Sequence, residues 1–223
     1  GIVNAGGNIE MQEWEPSLKG LIWGFYGGQE AGTAVGDVLF GKVNPSGKLP
    51  MTFEKRWEDN PAYNSYHDPD GDKHVAYTEG IFIGYRGYDK LKREVQYPFG
   101  YGLSYTTYKL SNVAVSKPNA DGAVEVTCKL TNTGNKAGAQ VIQVYVGKTE
   151  SSVVERPEKE LRKFEKVFLK AGESKAVKMV IPQNAFTYFD VNTKKFVKDA
   201  GNYNVMLGFS SRDIKAQQSI LIN

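Results

Sequence analysis

The amino-acid sequence predicts a chain of mixed class, with an α/β portion near its N-terminus and an all-β sandwich over its C-terminal half. Two observations predict this division. Eleven of the 24 glycines lie within residues 1–47, between short apolar runs, as the tight turns of strand–turn–helix units require. From Tyr105 onward, apolar and polar residues alternate with a period of two, which is the pattern of half-buried strands.

The composition is that of a globular protein, with 40% hydrophobic and 24% charged residues. These proportions argue against a disordered chain, and no apolar run approaches the ~20 residues that cross a bilayer. The single cysteine, Cys128, excludes an internal disulfide framework and a cysteine-based zinc site. A net charge of +3 is too small to indicate a nucleic-acid partner.

The first residues have the pattern of a strand tail, Ile2-Val3, followed by a glycine turn. A strand tail needs neighbours in a sheet, so we expect the chain to be one piece of a longer, processed or nicked polypeptide. No signal peptide is visible in this stretch.

Residues 1–50 are predicted to be the C-terminal part of an α/β sandwich domain. A short helical stretch is expected to begin at Met11, and the apolar run 21–26 suits a buried strand. A helix is predicted over residues 31–40, after which Gly41 ends it. The apolar stripe of this helix consists of Ala34, Val35, Val38 and Leu39.

Residues 51–104 are predicted to form an aromatic-rich, ordered connector. Prolines interrupt this part of the chain, and its sequence shows no long hydrophobic periodicity. Residues 51–108 hold 13 of the 27 aromatic residues. Because such a segment is too apolar for a free linker, we expect it to pack over neighbouring surface.

Residues 105–223 are predicted to form an immunoglobulin-like or fibronectin-III-like β-sandwich of roughly seven short strands. Four strands are marked by alternating apolar residues: Val124, Val126, Cys128 and Leu130; Ile142, Val144 and Val146; Val177, Met179 and Ile181; Tyr203, Val205, Leu207 and Phe209. Gln143 and Tyr145 occupy the alternate positions of the second strand. Cys128 is therefore expected to pack in the core rather than to act as a nucleophile.

Charge is divided unequally along the chain. Residues 105–223 contain 18 basic and 11 acidic residues, a net charge of +7, against −4 for residues 1–104. The basic residues are spread singly, so we interpret the excess as solvated strand faces and protected sheet edges rather than as a phosphate-binding surface.

Several stretches, taken in order, resemble the C-terminal part of glycoside hydrolase family 3, which contains β-glucosidases and related exo-acting β-glycosidases. They are Asn4-Ala5-Gly6-Gly7, Trp23-Gly24-Phe25-Tyr26, Gly28-Gln29-Glu30, Val38-Leu39-Phe40-Gly41, Asn44-Pro45-Ser46-Gly47-Lys48-Leu49-Pro50, Glu79-Gly80-Ile81-Phe82-Ile83-Gly84-Tyr85-Arg86 and Pro98-Phe99-Gly100-Tyr101-Gly102-Leu103-Ser104-Tyr105. Two departures lie in one turn: Gly27 stands where the family usually has Pro, and Ala31 where it usually has Gly.

The resemblance implies a whole enzyme with a TIM-like barrel, an α/β sandwich and a fibronectin-III-like domain. It also implies a retaining mechanism, which needs a nucleophile and an acid/base carboxyl group about 5–5.5 Å apart. In the family the nucleophile is an Asp of the barrel, and the acid/base Glu usually sits upstream of the Asn-x-Gly-Gly stretch. Neither motif is present in this sequence, so we assign no catalytic residue and expect the chain alone to be inactive. No cofactor is predicted.

Four residues of the connector are candidates for substrate binding: Trp57, Tyr77, Glu79 and Arg86. Aromatic rings stack on the apolar faces of sugars, and carboxylates and arginines bind hydroxyl groups, so these four would rim a glucose pocket. The alternative is that the aromatic residues pack between domains and that Arg86 pairs with Glu79 or Asp89.

The polar stretch 67–74 contains aspartates at three alternate positions and a histidine at each end. It lacks the glutamate that closes a calcium loop, and two histidines seven residues apart are not a zinc signature. We therefore predict a solvated polar turn and no metal site.

The complete enzyme is expected to remove terminal β-linked glucose from a β-glucoside or oligosaccharide substrate, in the periplasm or outside the cell. The partner of this chain is expected to be the N-terminal catalytic portion of the same enzyme. The alternative is a non-catalytic structural or carbohydrate-binding module. Neither a nucleic-acid partner nor a membrane span is predicted.

Overall fold

The computed structural model describes residues 1–66, 68, 71–150 and 152–223, and it divides into two compact units, Gly1–Tyr105 and Thr106–Asn223. The elements described in the first unit are β1 (Ile2–Val3), β2 (Ile22–Trp23), α1 (Ala31–Leu39), β3 (Phe53–Glu54), α2 (Tyr85–Lys90) and β4 (Val95–Tyr97), with 3₁₀ turns at Glu15–Ser17 and Trp57–Asp59. Those of the second unit are β5 (Tyr108–Val115), β6 (Val124–Asn132), β7 (Gly138–Lys148), β8 (Glu160–Leu169), β9 (Ser174–Ile181), β10 (Thr187–Asp190), β11 (Lys195–Lys198), β12 (Gly201–Ser210) and β13 (Asp213–Ile222), with a 3₁₀ turn at Gln183–Phe186.

The start of the first unit has the α/β order that the sequence predicts. Strands β1 and β2 pair in parallel, with Ile2 opposite Ile22, and α1 follows β2. The prediction of a buried strand over residues 21–26 is wrong in length and burial. Only Ile22–Trp23 is strand, because Phe25 turns the backbone into the left-handed region with φ 48°. Both strand residues are half-buried.

Helix α1 ends where the sequence predicts, because Gly41 takes a φ of 75° and donates its N–H to Val38 O at 3.0 Å. Its apolar stripe is not buried as a whole. Val35 and Val38 are half-buried, whereas Ala34 and Leu39 are exposed. With nine residues in α1 and six in α2, neither helix of the described part of the chain could reach across a bilayer.

The connector packs around Phe53. Strand β3 pairs with β4 in antiparallel fashion, with Phe53 opposite Tyr97. The ring of Trp23 meets that of Phe53 edge-on, with centroids 4.5 Å apart, and Met11 and Tyr88 are also buried. The residues around Phe53 are therefore held by non-local packing, which leaves no period in the sequence.

The second unit confirms the predicted sandwich. One antiparallel sheet has the strand order β5-β6-β9 and the other β13-β12-β7-β8, while β10 and β11 form a separate hairpin. All four predicted alternating sets lie in the buried core between these sheets. Cys128 is among them, and burial raises the pKa of its thiol to about 11.

Strand β7 departs from simple alternation, because Gln143 and Tyr145 are buried as well. Tyr145 Oη donates to Gln143 Oε1 at 2.5 Å, and Gln143 Nε2 donates to Phe209 O at 2.8 Å. The segment before β8 lies against this face, since a Cβ on Gly147 would stand 1.9 Å from Glu158 O. Polar side chains can be buried here because their hydrogen bonds are made inside the unit.

Candidate functional site

The two stretches that carry the family resemblance most specifically lie side by side in the first unit. Leu49 N–H donates to Tyr101 O and Gly100 N–H donates to Leu49 O, both at 2.8 Å. Asn44 Oδ1 accepts a hydrogen bond from Ser104 Oγ at 2.9 Å. The Asn-Pro-Ser-Gly-Lys-Leu-Pro and Phe-Gly-x-Gly-Leu-Ser-Tyr stretches therefore act as one clasp, which we call the 44–105 clasp.

Glycine is required at position 102 of this clasp. A Cβ at Gly102 would lie 2.3 Å from Gly47 O, which is closer than side-chain carbons approach a carbonyl. Lys48 Nζ also donates to Gly102 O at 2.5 Å. The clasp is thus a structural device that joins the end of the α1 region to the last residues of the unit.

Trp57 lies in a cluster of three aromatic rings. It stands in the 3₁₀ turn after β3, is half-buried, and its backbone N–H donates to Glu10 Oε1 at 2.9 Å. Its ring meets those of Tyr63 and Tyr66 edge-on, with centroids 5.9 and 5.5 Å away. Tyr66 is largely exposed, so this edge of the cluster faces solvent.

Glu79 is held beside the same segment. Ser65 Oγ donates to Glu79 Oε2 at 2.9 Å, which places the carboxylate next to the chain between Tyr63 and Tyr66. Tyr77 lies in the same turn as Glu79, since Gly80 N–H donates to Tyr77 O, but its side chain is 83% exposed. Glu79 is thus bonded to the segment whose tyrosines contact Trp57, while the side chain of Tyr77 is exposed.

Arg86 is the second residue of α2 and is half-buried. The helix packs closely on the turn before the cluster, because a Cβ at Gly87 would lie 2.6 Å from Pro61 Cγ and 2.1 Å from Phe82 O. The segments that carry Trp57, Glu79 and Arg86 are therefore in contact with one another.

A buried carboxylate beneath this region was not found by sequence reasoning. Tyr88 Oη donates to Glu54 Oε2 at 2.8 Å, and Asn60 Nδ2 lies 3.4 Å from Glu54 Oε1. Burial, together with the neighbouring carboxylate, raises the pKa of Tyr88 well above its ordinary value. Nothing in the sequence marks Glu54, since a single acid in a short strand is ordinarily solvated.

Other aromatic residues of the connector pack on one another or on a cation. The rings of Tyr85 and Phe99 stack with centroids 5.0 Å apart, and Lys90 Nζ lies 3.6 Å above the ring of Phe82. Their role in packing between domains stays a prediction.

The polar stretch 67–74 is only partly described: His67, Pro69 and Asp70 lie outside the described residues. Asp68 accepts backbone N–H groups from Gly71 and Lys73, both at 2.9 Å, which is the bonding of a turn. No group of three metal-ligating side chains occurs among the residues that the structure describes.

Two family models match the chain. The glycosyl hydrolase family 3 C-terminal domain matches residues 1–85, and a fibronectin type III-like domain matches residues 140–211. The chain therefore corresponds to the C-terminal part of glycoside hydrolase family 3 enzymes.

The curated relatives are longer proteins, of which this chain covers less than a third. A thermostable beta-glucosidase B of Acetivibrio thermocellus is 42% identical over 220 residues, which are 98% of this chain and 29% of the relative. An exo-alpha-(1->6)-L-arabinopyranosidase of Bifidobacterium longum is 42% identical over 213 residues, which are 96% of this chain and 28% of the relative.

Solved structures agree with these relatives. The family 3 beta-glucosidase of Bifidobacterium adolescentis superposes with a TM-score of 0.93 at 39% identity, over 99% of this chain and 32% of that one. Beta-glucosidase 3B of Thermotoga neapolitana, in complex with alpha-D-glucose, gives a TM-score of 0.92 at 38% identity, over 100% of this chain and 31% of that one. The chain therefore spans about three tenths of the length of the proteins it matches.

Proposed function

We propose that this chain is the C-terminal part of a retaining β-glucosidase-like enzyme, which removes terminal β-linked glucose in carbohydrate metabolism. The observation that carries the proposal is the 42% identity to a beta-glucosidase over 98% of the chain. The nucleophile and the acid/base would be supplied by the N-terminal catalytic portion, which is the partner of this chain. A periplasmic or secreted location is part of the proposal.

The contribution of this chain to the sugar site would come from Trp57, Tyr77, Glu79 and Arg86. The Trp57 cluster has an exposed edge, which suits the apolar face of a sugar ring. Glu79 is positioned by Ser65 through one carboxylate oxygen and has a second oxygen that can accept a sugar hydroxyl. Arg86 would donate to hydroxyl oxygens, and Tyr77 would form an outer rim.

The first test uses the purified chain and a chromogenic β-glucoside. We expect no turnover above the blank, and turnover when the chain is joined to the N-terminal portion that its relatives have. Turnover by the chain alone, abolished by substituting one of its own carboxylates, would contradict the assignment of catalysis to the N-terminal portion.

The second test is Tyr77→Ala in the complete enzyme. Because the Tyr77 side chain is 83% exposed, its truncation should leave the melting temperature unchanged. Loss of a contact worth about 1 kcal/mol in the sugar complex should raise KM roughly fivefold. Phe196→Ala is the matched control, since that ring is 73% exposed in the second unit and should change neither quantity.

Trp57→Ala serves as the complementary variant, since its ring is packed on two others. A higher KM for both variants supports a sugar site. Unchanged KM for both would leave the connector with a packing role only, although the family assignment would stand.

A second candidate concerns the sugar that is removed. One relative is named an exo-alpha-(1->6)-L-arabinopyranosidase, at the same 42% identity as the beta-glucosidase. An enzyme of that specificity would prefer a p-nitrophenyl α-L-arabinopyranoside to the corresponding β-D-glucoside. Comparing kcat/KM for the two substrates distinguishes the two candidates.

A further inference from the structure

The second unit contains a groove of about 700 Å³, which is within the size range of ligand sites. One wall is the end of β5 and the loop after it, residues 115–120 and 122, and the other is the end of β13, residues 218–223. Gln183 and Lys198 complete the lining. We call this cavity the β5–β13 groove.

Two amide side chains are oriented with their NH₂ groups available. Asn119 Oδ1 accepts the backbone N–H groups of Asp121 and Ala123, at 3.0 and 2.9 Å. Gln218 Oε1 accepts the N–H of Val115 at 3.0 Å. Asn119 Oδ1 thus accepts two hydrogen bonds and Gln218 Oε1 accepts one, and the NH₂ group of each side chain can donate to a ligand.

Two lysines, Lys117 and Lys198, line the groove. Within the residues that the structure describes, neither Lys117 nor Lys198 forms an ion pair. By contrast, Lys178 pairs with Glu125 at 2.5 Å on an exposed strand face. The residues that line the groove include no aspartate or glutamate, and Asp121 of the same loop is not part of the lining.

We propose that the β5–β13 groove binds a polysaccharide that carries carboxylates, such as a polymer of uronic acids. The donors of Asn119 and Gln218 match sugar and carboxylate oxygens, and the ammonium groups of Lys117 and Lys198 supply the opposite charge. An acidic peptide is the alternative occupant, and the experiment below includes it. The proposal is independent of the catalytic activity.

The experiment is affinity electrophoresis of the full chain in gels that contain polygalacturonate, a neutral β-glucan or poly-glutamate. We expect retardation by polygalacturonate that weakens as salt is raised, and little retardation by the neutral glucan. Poly-glutamate should retard the chain less than polygalacturonate at equal charge density.

The variant is Lys117→Gln with Lys198→Gln, which removes two charges from the groove. We expect the dissociation constant for polygalacturonate to rise roughly three- to tenfold, as for two exposed charge contacts. The matched control is Lys178→Gln with Lys215→Gln, which removes the same net charge from lysines that are paired with Glu125 and Asp213. Far-UV circular dichroism establishes that both variants are folded.

Three results would overturn the proposal. Equal weakening by both double variants would mean that net charge alone retains the chain. Retardation by the neutral glucan equal to that by polygalacturonate would show that the charge of the lysines does not contribute to binding. Tighter binding of poly-glutamate than of polygalacturonate would assign the groove to an acidic peptide.

Discussion

Substituting Asp199 by Ala should destabilise the second unit strongly, because this carboxylate holds two buried cations. Asp199 Oδ1 pairs with Lys148 Nζ, while Oδ2 accepts Arg156 Nη1 at 3.1 Å and Ser152 Oγ at 2.7 Å. The exposed fractions of the Lys148, Asp199 and Arg156 side chains are 4%, 6% and 11%. Arg156 would keep Glu160 Oε2 at 3.6 Å, but Lys148 would lose its carboxylate partner, and leaving a buried charge without its partner typically costs about 3–5 kcal/mol.

Urea unfolding of the chain measures this loss. The tryptophans Trp14, Trp23 and Trp57 all lie in the first unit, so their fluorescence reports on that unit, whereas the strands of the second dominate far-UV circular dichroism. With a slope of about 2 kcal/mol per molar urea, the dichroism midpoint should fall by roughly 2 M. The fluorescence transition provides an internal comparison in the same sample.

Asp213→Ala is the matched control. Asp213 pairs with Lys215 at 2.5 Å, but both side chains are well exposed, so its loss should cost no more than about 1 kcal/mol. A dichroism midpoint shift for Asp199→Ala no larger than that for Asp213→Ala would refute the reasoning.

The contribution of Asp199 should also depend on pH. Burial raises the pKa of Asp199, but the hydrogen bonds from Lys148 and Ser152 and the nearby cations outweigh it, so that the pKa lies below its ordinary value. The folded-state pKa is therefore lower than the unfolded one. The stabilisation is present above the unfolded value of about 3.9 and is lost as pH falls through the folded value. The stability difference between the parent and Asp199→Ala should narrow below about pH 4, and a constant difference down to the folded pKa would contradict this.

Three further predictions concern single side chains. Asn44→Ala removes the acceptor of Ser104 in the 44–105 clasp, and it should lower the free energy of unfolding, followed by fluorescence, by about 1–2 kcal/mol. An unchanged midpoint would show that the clasp is held by its backbone bonds alone. Tyr88→Phe leaves the buried Glu54 without its hydroxyl donor, and it should lower the free energy of unfolding by about 1–3 kcal/mol in the same measurement. An unchanged midpoint would contradict this. Cys128 is buried with a pKa of about 11, so a thiol reagent at pH 8 should react only after urea is added; reaction of the folded chain would place the thiol at the surface.

Much of the second unit could be predicted from the sequence, because each strand turns one face to a common core. Val124, Val126, Cys128 and Leu130 alternate in the sequence and are all buried in the structure. That pattern is local, since successive side chains of a strand point to opposite faces. It cannot show that Tyr145 on the other face is buried too, because the covering segment lies elsewhere in the chain.

The candidate site was predictable only as a set of residue types in one segment. Aromatic residues and carboxylates in residues 51–104 indicated Trp57 and Glu79, but not that Ser65 holds Glu79 beside the Trp57 cluster. Tyr77 has the same chemical type as the clustered tyrosines, yet it stands in solvent. In an irregular segment, no period relates sequence position to burial.

By itself, the sequence determined the order of an α/β portion and a β-sandwich, together with the resemblance to the family, because these follow from local periodicity and from contiguous motifs. Only the tertiary structure decided which polar groups are buried together. Asp199 meets Lys148 from 51 residues away, Ser104 meets Asn44 from 60, and Tyr88 meets Glu54 from 34. Such pairs arise when the chain closes on itself, and their hydrogen bonds are needed because unpaired polar groups are costly to bury.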